Sequence, residues 1–177
     1  MLHLPLDTGY QTMKTVITTF AGFCALLLGT AASAGEFGTS IPMRAGNATT
    51  YYVKAVAGDL EAMDFMVDTG SGYTTINEET LGELQRNEQA EYLRELRGIL
   101  ANGTEMVVPV YRLSNFNIGG GCQLSNVEAA VFPGKTRQIL GLSALKQAGP
   151  FIFSFDPPNL ILSNCPNNGM LASAPEK

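Results

Sequence analysis

The segment Phe65-Met66-Val67-Asp68-Thr69-Gly70-Ser71-Gly72 constrains this chain more than any other stretch of it. Three consecutive apolar residues drive a strand into a core, a carboxylate stands at the strand's end, and glycines turn the chain away. A carboxylate held on a rigid, partly buried backbone is costly unless it is paired, neutral or hydrogen-bonded. Thr69, Gly70 and Ser71 can supply N–H and hydroxyl partners around Asp68. The tripeptide Asp-Thr-Gly alone says little, since roughly a few per cent of chains this long contain one by chance. Asp7-Thr8-Gly9 repeats it near the N-terminus with no apolar strand before it, so that copy is a decoy. The supporting strand carries the argument.

Composition narrows the chemistry around that carboxylate. With 11 Lys plus Arg against 16 Asp plus Glu, the formal net charge is −5 and no basic cluster exists, which excludes nucleic acid as a partner. The hydrophobic share of 45% with 15% charged residues describes a globular chain rather than a disordered one. His3 is the one histidine and precedes the first apolar run, so histidine-dependent catalysis is out; Ser71 and Ser143 have no base to activate them. With 3 cysteines besides, no metal site and no cofactor are expected.

The N-terminus reads as an address. Lys14, an apolar run from Val16 to Leu28 and the ending Ala32-Ser33-Ala34 are the three parts of a secretory signal peptide. The run is short for a membrane-spanning helix, which needs about 20 residues. The expectation is export to the periplasm or outside the cell after cleavage at Ala34. An uncleaved signal anchor is the alternative, and stable membrane insertion is expected only in that case. Residues 1–12 look like an upstream extension, with Met13 as a second candidate start. Export leaves Cys122 and Cys165 in the mature chain, either as a disulfide or as two buried thiols.

Residues 1–34 are thus set apart as extension and signal. Residues 35–49, rich in Gly, Ser, Thr and Pro, read as a loose arm. The folded domain is placed at 50–163 and a fraying tail at 164–177. Within the domain, Tyr51–Val56 and Glu61–Val67 read as a hairpin about Gly58-Asp59. Residues 77–97 read as the helical insertion, with Asn77 as N-cap and Gly82 and Asn87 dividing it into two shorter helices. After Gly98 the pattern returns to strand: Thr104–Leu113 interrupted by Pro109, Phe116–Ile118, Val127–Phe132, and a last hairpin about Asp156-Pro157-Pro158-Asn159. Leu142–Gln147 suits a short helix.

Taken together, the apolar strand into Asp68-Thr69-Gly70-Ser71, then Ile139-Leu140-Gly141, then Phe151-Ile152-Phe153-Ser154-Phe155-Asp156, resembles the retroviral-type (retropepsin-like) aspartic proteases, in particular the single-domain bacterial members of clan AA. The resemblance covers residues 50–163. It implies a mainly β fold, a closed acid-protease half-barrel with a ψ-loop, here carrying one helical insertion and a short C-terminal helix. It assigns Asp68 as the catalytic residue, Thr69, Gly70 and Ser71 as the active-site loop, and Ile139, Leu140 and Gly141 as the ψ-loop. Gly98, Ala101, Asn102 and Gly103 fall where the family has its flap. Gly72 and Tyr73 depart from the small polar residues usual after this loop, and the 77–97 insertion is longer than the viral link.

That family uses two carboxylates sharing a proton, because like charges about 3 Å apart cannot both ionise. One Asp-Thr-Gly in the mature chain therefore implies a homodimer with an Asp68–Asp68' dyad on its two-fold axis, acting on peptide or protein substrates. Two other readings predict different behaviour. A non-catalytic peptide-binding or assembly module would not need the carboxylate, and a small-molecule-binding barrel would be a monomer. Substrate, cleavage preference and pH optimum have no signature in the residues.

Overall fold

A computed structural model describes residues 38–99 and 103–166. The signal segment, Ala101 and Asn102 of the expected flap, and positions 167–177 of the expected tail lie outside the described residues. The elements run β1 (Thr39–Pro42), β2 (Arg44–Ala45), β3 (Tyr51–Ala57), β4 (Met63–Val67), β5 (Thr74–Asn77), α1 (Glu78–Arg86), β6 (Ala90–Ile99), β7 (Glu105–Ile118), β8 (Cys122–Phe132), β9 (Ile139–Leu140), α2 (Leu142–Ala148), β10 (Phe151–Phe155) and β11 (Pro158–Leu162).

Alternating apolar residues explain the large sheet. In β3 the side chains of Val53, Ala55 and Ala57 are buried while Lys54 points out, the two-residue period of a half-buried strand. Eight strands line up as β2-β3-β4-β9-β5-β8-β7-β6, and β3 also pairs with β7 through Ala55↔Ile118, Val56↔Asn117 and Ala57↔Phe116. That second pairing closes the sheet on itself, which leaves fewer open edges and encloses one core. Phe65 of β4 meets Phe116 of β7 edge-on inside it, with ring centroids 5.2 Å apart.

The arm and the helical stretch differ from the sequence reading. The loose arm is in part a strand: β1 pairs antiparallel with β11, Ile41 opposite Leu160, and Ile41 is only 2% exposed. Its low periodicity hid two buried side chains, Ile41 and Met43, that join the core only through long-range partners. The helical stretch 77–97 is helical only to Arg86. Asn77 caps it as expected, its Oδ1 accepting from Thr80 N at 2.9 Å, and Thr80, Leu81 and Leu84 turn inward. The helix passes through Gly82 and stops at Asn87, and residues 90–99 form β6 along β7.

The reason for the second error is local. Between Tyr92↔Tyr111 and Arg94↔Val110 the strand takes one residue more than its partner, so Leu93 is a β-bulge. The bulge puts Leu93 and Leu96 on one side, packed toward Val108, Val110 and Ala130, at a spacing that imitates a helix face. Pro109 does not break β7, which runs unbroken from Glu105 to Ile118: Pro109 lies opposite Glu95 of β6, and the β8 pairing begins only at Val110.

The tail, too, begins later than expected. Asn164 N donates to Ala148 O at 3.1 Å, and Cys165 is joined to Cys122 of β8 in a disulfide that links residues separated by 43 in sequence.

Candidate active site

Asp68 stands immediately after β4, whose Met66 and Val67 lie parallel to Ile139 and Leu140 of β9. This short strand, contributed from late in the chain, is inserted between β4 and β5. Backbone bonds lock the crossing on both sides of the carboxylate: Asp68 N donates to Leu140 O at 3.1 Å and Leu142 N to Ser71 O at 2.9 Å. The geometry demands glycine at 141, since a Cβ there would stand 2.1 Å from the Tyr73 carbonyl oxygen.

The loop itself is a tight turn around the carboxylate. Gly70 N donates to Asp68 Oδ1 at 2.9 Å. Ser71 N donates to Asp68 O at 3.2 Å, and the Ser71 hydroxyl donates to Tyr73 O at 2.7 Å rather than to the carboxylate. Thr69 is exposed and Asp68 half-buried. Ser143 has a structural role: its Oγ accepts from Thr74 N at 2.8 Å and donates to Glu128 O at 2.6 Å, tying α2 to β5 and β8.

Asp68, Gly70, Ser71 and Ile139 open on one concavity of about 520 Å³, completed by Met66, Thr75, Ile99, Phe132, Thr136 and Arg137. The structure thus brings the loop and the first ψ-loop residue to a common surface, while Leu140 and Gly141 sit behind it as scaffold. Another concavity, of about 630 Å³ beside the disulfide, is lined by Gln123, Leu124, Ser125, Gln147, Ser163, Asn164, Cys165 and Pro166, none of them a free titratable group. A further concavity, of about 750 Å³, holds Asp64, but that carboxylate is already paired with Arg44 and Lys54, whereas Asp68 has no cation partner among the described residues.

The strands β6 and β7 are paired from Ala90↔Leu113 out to Ile99↔Glu105, and the Ile99 end reaches the Asp68 concavity. Gly98 lies opposite Met106, and Gly103 has φ +83°, the left-handed region that glycine tolerates. Ile99, at 74% exposure, reaches the concavity from this hairpin and was not anticipated. Nor was Arg137. Its position two residues before Ile139 was the available signal.

A polar tie connects the hairpin stem to the loop. Arg94 of β6 donates to the Tyr73 hydroxyl at 2.9 Å and to Glu128 Oε2 of β8 at 2.6 Å. Its hydrogen bonds hold the Glu128 carboxyl below the usual range, and its own pKa is raised. Asp64, two residues before Met66 on β4, contacts Lys54 at 3.2 Å and Arg44 at 3.1 Å. Burial alone would raise its pKa, but the two cations outweigh that and lower it.

A closed β-barrel crossed behind an Asp-Thr-Gly loop, with a β-hairpin whose Ile99 reaches the same concavity, is the retropepsin-like aspartic protease fold. Residues 53–147, more than half of the chain, match the family described as "gag-polyprotein putative aspartyl protease", and the chain belongs to that family. Among solved structures it is similar to a retropepsin-like aspartic protease from Rickettsia conorii, with 24% identity, a TM-score of 0.52 and coverage of 70% of this chain and 89% of that one. The retroviral protease-like domain of Ddi1 from Leishmania major also aligns, at 18% identity and a TM-score of 0.44, over 67% of this chain and 96% of that one. No curated protein matches the chain.

Proposed function

We propose that this protein is an aspartic endopeptidase that hydrolyses peptide bonds with a water activated by Asp68 and the partner's Asp68 in a homodimer. The observation that carries the reading is Asp68 itself: a half-buried carboxylate, bonded to Gly70 N at 2.9 Å and facing an open groove that the β6–β7 hairpin reaches through Ile99. One carboxylate of the pair takes the proton of the attacking water. The other, protonated, donates to the scissile carbonyl oxygen and stabilises the charge that develops there. The pair shares one proton and titrates as a unit. The described loop offers a single carboxylate, so a second copy must bring the other.

Support for the pairing of copies comes from the small sheet, ordered β1-β11-β10. The outer edge of β10 carries Ile152 and Phe155, 42% and 69% exposed, and an exposed apolar edge strand is a ready template for another chain. Export through residues 1–34 belongs to the same proposal. The Cys122–Cys165 disulfide is in keeping with an oxidising compartment.

The test compares wild type with Asp68→Asn on a denatured protein substrate from acidic to neutral pH. Loss of cleavage by at least about 10²–10⁴-fold, with circular dichroism unchanged, is expected for an essential acid–base group. Equal turnover by the two would sink the assignment. Mass spectrometry of non-reduced peptides, and of the intact N-terminus, reads the disulfide and cleavage after Ala34 in exported protein.

A further inference from the structure

We infer that Arg137 is a specificity-determining residue that makes the groove prefer substrates with an acidic side chain beside the scissile bond. This rests on the protease reading and deepens it by naming a substrate class.

The arginines of this chain show why Arg137 stands apart. Arg44, Arg86, Arg94, Arg97 and Arg112 each sit against a carboxylate, at 3.1, 3.9, 2.6, 3.1 and 2.7 Å. Arg137 has no carboxylate partner among the described residues. Its side-chain hydrogen bond among the described residues runs from Nη1 to the Met66 sulfur at 3.2 Å, and a thioether is a weak acceptor. Nearby carboxylates are already engaged: Asp64 by Arg44 and Lys54, Asp68 by Gly70 N.

That guanidinium is exposed and lines the same concavity as Asp68. It remains charged at every working pH and presents a planar fork of donors that matches a carboxylate. Met66, Ile99, Phe132 and Ile139 give the same groove apolar walls for the stem of a Glu or Asp side chain. In a chain of net charge −5, Arg137 is the one cation among the residues lining this groove, and it offsets the charge of Asp68 there.

The segment that carries it is held on both flanks. Gly134 N donates to Glu78 Oε2 at 2.8 Å, Lys135 pairs with Glu79 at 3.2 Å, and Asn77 Nδ2 donates to Thr136 O at 3.2 Å. On the other flank Met66 N donates to Gln138 O at 3.0 Å. The backbone of Arg137 is therefore positioned before substrate arrives, which lowers the ordering cost of a substrate ion pair.

The experiment uses peptides identical except for Glu, Gln or Lys at each position flanking the scissile bond. Cleavage is measured with wild type, Arg137→Gln and Arg137→Glu, and binding by fluorescence anisotropy in an Asp68→Asn background. Wild type should favour Glu over Gln by about tenfold in kcat/KM at one or more positions. The ratio should approach one in Arg137→Gln and turn toward Lys in Arg137→Glu. The preference should shrink with added salt and vanish as pH falls below about 4, where the substrate carboxyl is protonated. Cleavage with no acidic preference, or a preference unchanged in Arg137→Gln, overturns the inference and leaves the protease reading standing. Arg137-dependent binding of Glu peptides without any cleavage upholds the inference and sinks the protease reading. A protein that neither cleaves nor binds the peptides overturns both.

Discussion

Gly141 and Tyr73 meet backbone to backbone: a Cβ at 141 would lie 2.1 Å from the Tyr73 oxygen and 2.4 Å from its carbonyl carbon. No rotation of a side chain relieves such a contact, because both partners are main chain. This crossing is where the segment after β9 passes behind the loop that bears Asp68, and both neighbouring backbone bonds depend on it. Gly141→Ala should therefore destabilise the protein by about 1–3 kcal/mol or more, in the range of overpacked sites. Urea denaturation checks it. A variant of unchanged stability would mean that the crossing has room for a Cβ.

Shared catalysis makes a second prediction. Specific activity should fall on dilution below the dimer dissociation constant, in step with sedimentation. Adding an equal amount of Asp68→Asn should cut wild-type activity to roughly half, since half of the wild-type chains then sit in mixed dimers with one ionisable carboxylate. A monomer fully active at every concentration would overturn the two-chain site.

Gly103 makes a third. At φ +83° a β-branched residue is strained by about 1–2 kcal/mol, so Gly103→Val should distort the β6–β7 hairpin. Cleavage should drop several-fold while the oligomeric state holds. Nothing lies within 4 Å of a Cβ at that position, so backbone conformation and not a clash is the cause. Unimpaired cleavage would show that the hairpin does not need this conformation to close.

Stability should also depend on pH in a definite direction. Asp64 and Glu128 have folded pKa values below their ordinary 3.8 and 4.5. The folded state thus binds fewer protons than the unfolded chain across this range. The stabilisation is fully present above those ordinary values and is lost as pH falls through the lower folded ones. Both side chains are more than a third exposed, so Asp64→Asn should cost less than about 1 kcal/mol at neutral pH and flatten the acid limb of the stability curve. Thermal melts between neutral pH and strong acid read this. A steeper acid limb in the variant would contradict it.

Much of this was legible along the chain. The apolar strand into Asp68, the cap at Asn77 and the short helix after Gly141 depend on neighbours within a few residues, where propensity and period are reliable. The resemblance carried by Asp68–Ser71 and Ile139–Gly141 extended that reading to the barrel and its ψ-loop.

What the sequence determined by itself was the type of element and the identity of the loop, because those are set by local backbone preference and by which side chains must leave water. Partners across the chain were decided only by the tertiary structure. Thr39–Pro42 becomes a strand because β11 offers Leu160 opposite Ile41, and residues 90–99 leave the helix because β7 offers a ladder. Leu93 and Leu96 have a helical spacing that only a bulge can place on one side of a strand. Nothing in the residues around Arg137 marks it along the chain; the fold brings it to the concavity of Asp68 and gives every other described arginine a carboxylate. Pairing energies between residues far apart in the chain have no one-dimensional signature, and those energies chose the register, the groove and its charge.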